Sequence, residues 1–359
     1  MWIKAYNNRK LTLDMEISTF CNAKCPQCSR TDRWNKLQKK DWLPTEQVSI
    51  DQFKKWLPVE SLNHCRNIHF SGTYGDPGMC KDLDKIIDYI INESNCNASV
   101  NTNASMRDEQ FWWTLAAKGG QRLHIIMDVD GINQEMHSFY RQGTHLDKVL
   151  KNLEAVADTD CKLTVLTVLF KHNQDYLEEI REMCRKLGVK NFDEVEGNNF
   201  QTGPIYEFID EDGNKQALEQ ITRKDREQGM KRLDRRVRDH RHSREWDTIE
   251  CLALEQNNLK VSVSGTITPC CYLSSGIETS VLYFSEPHPY QNLTLTGKLG
   301  DPAAPIIQQK MDNIGAYTLE TNDLKDILES DWYAKDLMES WNHKSSTCFG
   351  CYKTCGKRF

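Results

Sequence analysis

Residues 11–30 read LTLDMEISTFCNAKCPQCSR, an apolar, β-rich run that leads directly into three closely spaced cysteines. Further short apolar runs follow along the chain, separated by amphipathic helical stripes. These runs are Asn67 to Phe70, Ala98 to Val100, Leu123 to Val129, Leu163 to Leu169 and Val189 to Val195. Repeated alternation of strand and helix predicts parallel strands with right-handed crossovers. The predicted fold class is therefore α/β, a partial (β/α)6 TIM-like barrel with its site at the carboxyl ends of the strands.

The helical stripes repeat apolar residues at helical spacing. Helices are expected over Leu83 to Ile90, Leu146 to Leu153, Asp175 to Leu187 and Leu324 to Trp341. A capping box of Thr144 and Asp147 is expected to open the second helix, and Gly188 to end the third. A further short β-rich stretch, Leu259 to Thr268, contains Gly265 and predicts a hairpin.

Composition and net charge indicate the cellular compartment and the kinds of partner. The chain has 359 residues, 38% of them hydrophobic and 27% charged, with a net charge of −6. It contains no apolar run of about 18 residues and does not open like a secretory signal, so we expect a cytoplasmic protein rather than a membrane or exported one. The acidic balance argues against nucleic-acid binding over the whole surface.

Fourteen cysteines in a chain without a signal peptide predict metal ligands rather than disulfides. Nine of them fall in three groups, within residues 21–28, 251–271 and 348–355. The other five stand alone and are expected to be small buried side chains. They are Cys65, Cys80, Cys96, Cys161 and Cys184.

The first group, Cys21-x-x-x-Cys25-x-x-Cys28, follows the first predicted strand. Three thiolates on one short loop can hold three corners of a [4Fe–4S] cluster. The fourth iron then has no protein ligand and can chelate a small molecule. A zinc site is the alternative, but structural zinc takes four closed ligands and no fourth lies nearby in the sequence.

These cysteines and three later motifs together resemble the radical S-adenosylmethionine (SAM) enzymes. Residues 70–78, FSGTYGDPG, are similar to the Gly-Gly-Glu-Pro segment of that family. Residues 101–105, NTNAS, are similar to its Thr-Asn-Gly, and residues 127–131, MDVDG, followed by Arg141, to its Ser-Ile-Asp-Gly and downstream arginine. All four motifs are expected at strand ends, and the resemblance covers residues 11 to about 195.

The resemblance implies a role for each matching residue. Cys21, Cys25 and Cys28 would hold the cluster, whose open iron would bind the amine and carboxylate of SAM. Asp76 would accept a hydrogen bond from the SAM amine and Arg141 would pair with the SAM carboxylate. Two further residues, Asn103 and Asp128, would lie near the ribose or methionyl end.

Three positions depart from the family pattern. Gln27 stands where the family often has an aromatic residue that touches adenine. Asp128 replaces the usual serine, and Asp76 is one methylene shorter than the common glutamate.

The later cysteines predict a second metal site. Cys251 and Cys270 bracket the expected hairpin, and Cys348-x-x-Cys351-x-x-x-Cys355 forms a compact group near the end of the printed sequence. Spacing alone leaves zinc and iron–sulfur open. The pattern resembles the SPASM domain that follows some radical SAM barrels, or its shortened twitch form with one auxiliary [4Fe–4S] cluster.

The twitch resemblance implies a ligand set and a domain division. Its ligands would be Cys251, Cys270, Cys348 and Cys351, with Cys355 as a replacement for Cys351 and Cys271 as a bystander. The domains are expected to be a barrel over 1–205, a polar basic linker or helix over 206–250 and a twitch domain over 251–359. Within the linker, Arg223 to Arg244 holds ten Lys/Arg against four Asp/Glu and could instead dock an acidic partner.

The implied activity is reductive cleavage of SAM to a 5′-deoxyadenosyl radical, which abstracts a substrate hydrogen. The resemblance favours an oxidoreductase acting on a peptide or peptide-like substrate, supplied with electrons by a reductant such as flavodoxin or ferredoxin. No stretch before the barrel is long enough for a leader-binding domain, so another protein would deliver the peptide or a segment near residues 271–320 would grip it. Two alternatives stay open: a radical dehydrogenase of a small amino-sugar-like molecule, and a non-catalytic metal-binding interaction protein.

Overall fold

The structure is a computed structural model that describes residues 2–197, 200, 203–222, 248–277, 304–343 and 346–357. Its main feature is an eight-stranded sheet. The strands are β1 (Leu11–Met15), β2 (Cys65–Phe70), β3 (Asn97–Thr102), β4 (Leu123–Asp128), β5 (Lys162–Leu169), β6 (Asn191–Glu196), β7 (Asn258–Val261) and β8 (Ile267–Thr268). Their order across the sheet is β8-β7-β1-β2-β3-β4-β5-β6. Every neighbouring pair is parallel except β7 and β8.

This sheet confirms the predicted partial barrel, since β1 to β6 coincide with the six predicted strands and the sheet is not closed. Along β1 the side chains alternate as a strand requires. Leu11, Leu13 and Met15 are fully buried on one face, while Thr12 and Asp14 point to the other and are half-buried. The sheet therefore has an apolar outer face covered by helices and a polar inner face.

The helices carry the crossovers and the C-terminal packing. They are α1 (Trp2–Asn7), α2 (Ile50–Trp56), α3 (Val59–Leu62), α4 (Leu83–Glu93), α5 (Glu109–Gly119), α6 (Gln134–Tyr140), α7 (Leu146–Ala157), α8 (Leu177–Arg185), α9 (Leu252–Glu255), α10 (Cys271–Ile277), α11 (Pro305–Asp312), α12 (Leu324–Glu329), α13 (Leu337–Glu339) and α14 (Phe349–Cys355). The expected end of α8 is confirmed, because Gly188 takes a φ of 90° and its N–H donates to the carbonyl of Arg185.

Two predictions about helices are wrong, one about a cap and one about a continuous helix. The capping box does not form: His145 is the N-cap of α7, and the Thr144 hydroxyl donates instead to the carbonyl of Arg141. The expected helix from Leu324 to Trp341 breaks after α12, where Ser330 takes an extended ψ of 147°. A π-helical turn over Trp332–Asp336 then continues to α13. The face that was expected to pack is nevertheless buried: Leu324, Ile327, Leu328 and Trp332.

The predicted hairpin around Gly265 is confirmed, but it belongs to the main sheet. Strand β7 pairs in parallel with β1, so that Lys260 lies beside Asp14, and β8 returns antiparallel. Gly265 has a φ of 78°, and a Cβ there would come within 2.9 Å of the Trp56 ring. A segment far along the chain thus completes the edge of the barrel next to its first strand.

Smaller strands lie beside the barrel. Residues Thr31–Asp32 and Gln38–Lys39 pair with each other, as do Ile205–Ile209 and Lys215–Glu219. The latter hairpin lies at the start of the expected linker 206–250. The basic stretch Arg223 to Arg244 lies outside the described residues. Within the described ranges, no helix combines the length and apolar character needed to cross a membrane.

Candidate functional site

The three N-terminal cysteines lie on one loop after β1, and contacts from distant parts of the chain fix this loop. The Lys24 amide donates to the carbonyl of Gln142 at 2.8 Å, and the Cys28 amide to that of Cys25 at 3.1 Å. The Tyr206 hydroxyl of the 205–219 hairpin donates to the carbonyl of Pro26 at 3.0 Å. These contacts tie the loop to the segment after α6 and to the 205–219 hairpin.

The environment of Cys21 and Cys25 disfavours an uncompensated negative charge on their sulfurs. Burial raises the pKa of Cys21 well above its ordinary value, and the neighbouring Asp76 carboxylate adds to the rise. Burial also raises the pKa of Cys25 to about 12, although the Arg141 guanidinium opposes it. A thiolate here needs a strong positive partner, and bound iron is such a partner. The donor set thus fits an iron–sulfur cluster chemically.

Asp76 lies in the segment after β2, directly before a 3₁₀ turn over Pro77–Met79, and is buried beside the cysteine loop. Its carboxylate accepts hydrogen bonds from the Thr102 hydroxyl and from the amides of Gly78 and Asn103, each at 2.8 Å. A carboxylate offers about four acceptor positions, so about one remains for a ligand. Burial raises the pKa of Asp76, and the three donors oppose the rise.

Asn103 follows β3 and reaches the cysteine loop with its amide. Its Nδ2 lies 3.8 Å from the Cys21 sulfur and donates to the Asn22 Oδ1 at 3.0 Å. Its Oδ1 accepts from the Ser105 amide at 2.9 Å. The side chain is therefore fixed against the cysteine loop.

Arg141 lies between two carboxylates at the end of β4. Its guanidinium contacts Asp128 at 2.9 Å and Asp130 at 2.6 Å, and one nitrogen approaches the Cys25 sulfur at 4.0 Å. Burial raises the pKa of Asp128 to about 7, while Arg141 opposes the rise.

Asp130 belongs to the MDVDG motif, but the sequence patterns do not assign it a role. It is fully buried and also accepts from the Val168 amide at 2.6 Å, so it ties Arg141 to β5.

A row of polar residues crosses the inner face of the sheet below these groups. The strand register aligns Lys260, Asp14, His69, Ser99 and His124 on five adjacent strands. His69 Nδ1 lies 2.8 Å from the Ser99 hydroxyl, and burial lowers the pKa of both histidines. No sequence signal indicated this row, because each member comes from a different strand.

The glycine-rich turn after β2 packs tightly against the cysteine loop. The Asp76 amide donates to the carbonyl of Phe20 at 2.8 Å. A Cβ on Gly75 would lie 2.1 Å from the carbonyl oxygen of Ser18, which no side chain can tolerate. Glycine at position 75 is thus required for the backbone of the FSGTYGDPG turn to approach the loop that carries the cysteines.

The C-terminal cysteines come from three separate segments and face one another. Cys251, Cys270, Cys351 and Cys355 line one small cavity, together with apolar side chains such as Leu273 and Trp341. Cys348 is buried and hydrogen-bonded to Cys351. Cys271, expected to be a bystander, is exposed. The five predicted isolated cysteines are buried, as expected.

Hydrogen bonds pair these C-terminal thiols. The bond from Cys251 lowers the pKa of Cys355 to about 7 and raises that of Cys251. Cys348 and Cys351 form a similar pair, in which the pKa of Cys348 is lowered. Among the described residues, no three His, Cys, Asp or Glu side chains lie close enough together to enclose one metal ion.

The chain is similar to known proteins at the level of both sequence and fold. Residues 15–184 match the family model of the Radical SAM superfamily. A protein named probable GTP 3′,8-cyclase, from Methanococcus maripaludis, is 26% identical over 186 residues, which are 51% of this chain and 58% of that protein. The matched part therefore spans less than two thirds of that relative.

Solved structures share the fold. Streptococcus suis SuiB has 14% identity and a TM-score of 0.57, over 99% of this chain and 74% of SuiB. In its complex with S-adenosylmethionine, SuiB aligns with 76% of this chain and 63% of its own, at 15% identity and a TM-score of 0.51. The enzyme anSMEcpe with bound AdoMet has 15% identity and a TM-score of 0.54, over 93% of this chain and 81% of that one. The likeness to these solved structures is therefore one of fold, and the match to the Radical SAM superfamily model is limited to residues 15–184.

Proposed function

We propose that this protein is a radical SAM enzyme whose cysteine loop binds a [4Fe–4S] cluster and SAM. One observation carries the proposal. The three thiols of residues 21–28 lie beside Asp76, Asn103 and Arg141, which follow three other strands of the same parallel sheet. This convergence at the carboxyl ends of strands is where α/β proteins bind small ligands.

Each residue has a defined task in this proposal. Cys21, Cys25 and Cys28 hold three irons, and the bound cluster supplies the electron that cleaves SAM to methionine and a 5′-deoxyadenosyl radical. Asp76 accepts a hydrogen bond from the SAM amine through its remaining acceptor position. Arg141 has five N–H donors, and its contacts with two aspartates leave donors for the SAM carboxylate.

Two further residues near the cysteine loop would contact the rest of SAM. We assign Asn103 and Asp128 to the ribose or methionyl end. Asn103 is buried and Asp128 is half-buried.

The C-terminal cysteines form the second part of the proposal, a twitch domain with one auxiliary [4Fe–4S] cluster. Each thiolate of such a cluster binds a different iron, so its ligands lie further apart than those of one zinc ion. Cys251, Cys270, Cys351 and Cys355 line one small cavity, which is the proposed place of this cluster. The ligands come from Cys251, Cys270, Cys348, Cys351 and Cys355, five thiols for four irons.

We further propose an oxidative modification of a peptide or peptide-like substrate in the cytoplasm, with flavodoxin or ferredoxin as the reductant. Support comes from structural neighbours with bound peptides: SuiB bound to precursor peptide SuiA, with a TM-score of 0.55, and anSMEcpe with the Cp18Cys peptide, with a TM-score of 0.53. A small-molecule substrate is the second candidate, favoured by the relative named probable GTP 3′,8-cyclase. Much of the segment 271–320, the expected peptide grip, lies outside the described residues.

Anaerobic reconstitution tests the activity. With iron and sulfide, the protein is expected to bind about eight irons, four in each of two clusters. With dithionite and SAM it is expected to release 5′-deoxyadenosine and methionine, detected by chromatography. Iron binding without any cleavage of SAM would instead support the rival, a non-catalytic metal-binding interaction protein.

A further inference from the structure

A lysine from the C-terminal part of the chain is buried inside the barrel. Lys260 lies on β7 and is 1% exposed. Its ammonium contacts Asp14 at 3.2 Å, Glu16 at 3.0 Å, and the hydroxyls of Ser71 and Thr73 at 2.9 and 3.0 Å. These partners lie on β1 and on the loops after β1 and β2. One charge therefore joins three separate segments.

Glu16 passes this contact on to the turn that carries Asp76. Its side chain is 1% exposed, and its two carboxylate oxygens accept from the backbone amides of Thr73 and Tyr74. These amides precede Gly75 and Asp76 directly. The chain of contacts thus runs from Lys260 through Glu16 to the backbone that positions Asp76.

Burial makes this arrangement sensitive to the loss of the lysine. A buried carboxylate without a counterion is strongly destabilised, because the low-dielectric interior does not solvate its charge. Without Lys260, the Glu16 carboxylate would be buried without its cationic partner and would turn toward water. That movement would weaken its hold on the amides of Thr73 and Tyr74.

We infer that Lys260 is a positioning residue through which the C-terminal hairpin fixes the Thr73–Asp76 turn for SAM binding. The inference rests on the proposed SAM site and adds a residue that acts on it from outside. Lys260 also links the two cysteine regions. It pairs with Thr268 of β8, and Cys270 follows Thr268 by two residues.

The test is Lys260→Met in the iron-loaded protein, measured in two ways. Loss of a residue that orients ligand-binding groups typically costs about 10- to 100-fold in affinity, and we expect the Kd for SAM to rise by that factor. Hydrogen–deuterium exchange at the amides of Thr73 and Tyr74 is expected to accelerate at least about tenfold, since their acceptor is loosened. Iron content should not change.

Lys310→Met is the matched control. Lys310 is also a fully buried lysine of the C-terminal part, but it lies over the rings of Tyr317, Trp332 and Tyr333. Methionine packs well against aromatic rings, so this variant should keep both the SAM affinity and the exchange rates. Equal weakening of SAM binding in the two variants would overturn the inference, because it would indicate a general loss of stability.

A second variant keeps the test decisive if Lys260→Met fails to fold. Lys260→Met combined with Asp14→Asn removes one positive and one negative charge, so the net charge of the Lys260, Asp14 and Glu16 group stays the same. The inference predicts the same two effects. Unchanged SAM affinity, or unchanged exchange at Thr73 and Tyr74, in a folded variant would refute it. If the unaltered protein does not bind SAM, the proposed function fails, and the exchange data still report on Lys260.

Discussion

The two cysteine regions are built in opposite ways. The first takes all three thiols from one loop, residues 21–28, and places the polar Asn103 and the charged Arg141 beside them. The second takes its thiols from three distant segments, which meet in a small cavity with apolar neighbours such as Leu273 and Trp341. The charged groups beside the first region can pair with a charged ligand, and the apolar neighbours of the second offer no such partner.

The number of thiols points in the same direction. Three sulfurs leave one corner of a four-iron cluster without a protein ligand, whereas five sulfurs can supply all four. In our account the first region therefore performs the chemistry, and the second transfers electrons or stabilises the fold.

The largest effect is expected from Cys25→Ala. Without this ligand the first cluster cannot be held, so formation of 5′-deoxyadenosine should be abolished and iron should fall by about four per chain. Cys184→Ala removes another buried thiol, on α8 and outside both cysteine groups, and should retain product and iron. Persistent cleavage of SAM by the Cys25→Ala protein would exclude this loop as the catalytic site.

Changing Cys251 and Cys348 together to alanine should remove about half of the iron, because only the auxiliary cluster loses ligands. The iron can be counted colorimetrically, and the first cluster should still support SAM cleavage. Cys271→Ala is the control, since this thiol is exposed beside Cys270. If the double variant keeps all its iron, the C-terminal thiols either hold zinc or hold no metal.

Gly75→Ala tests how the first region is assembled. The added methyl group would lie 2.1 Å from the Ser18 carbonyl oxygen, so the backbone must shift at a cost of about 3 kcal/mol of unfolding free energy. Gly315→Ala meets no atom within 4 Å and should change stability little. Denaturant unfolding of both proteins gives the comparison, and equal stabilities would contradict the close approach of the two loops.

Tyr206→Phe should have the smallest effect. It removes one hydrogen bond to the Pro26 carbonyl, which contributes about 1 kcal/mol. The unfolding free energy should fall by that amount while iron content stays the same. A loss of iron would mean that the 205–219 hairpin is needed to hold the cluster, rather than only to support its loop.

The barrel could be predicted because its signals are local. Apolar runs mark the strands, and each site motif follows its own strand directly along the chain. Local signals also mislead. Thr144 and Asp147 match the sequence of a capping box, but the Thr144 hydroxyl donates to the Arg141 carbonyl in the folded chain. Ser330 interrupts a stripe whose apolar face is otherwise continuous and buried.

Contacts between distant segments could not be predicted. Lys260 and Asp14 are 246 positions apart and meet only because β7 pairs with β1. Arg141 and Asp130 are only 11 positions apart, but their pairing depends on the geometry of the turn after β4. Such contacts arise from strand register and loop geometry, which composition and periodicity do not encode.

The proposed open iron of the first cluster can be tested in the reduced protein in which Cys251 and Cys348 are alanine, because only the first cluster is then observed. Its electron paramagnetic resonance spectrum would be recorded with and without SAM. Our account predicts that SAM shifts the g values, because its amine and carboxylate bind the open iron. A spectrum that SAM leaves unchanged would contradict the account.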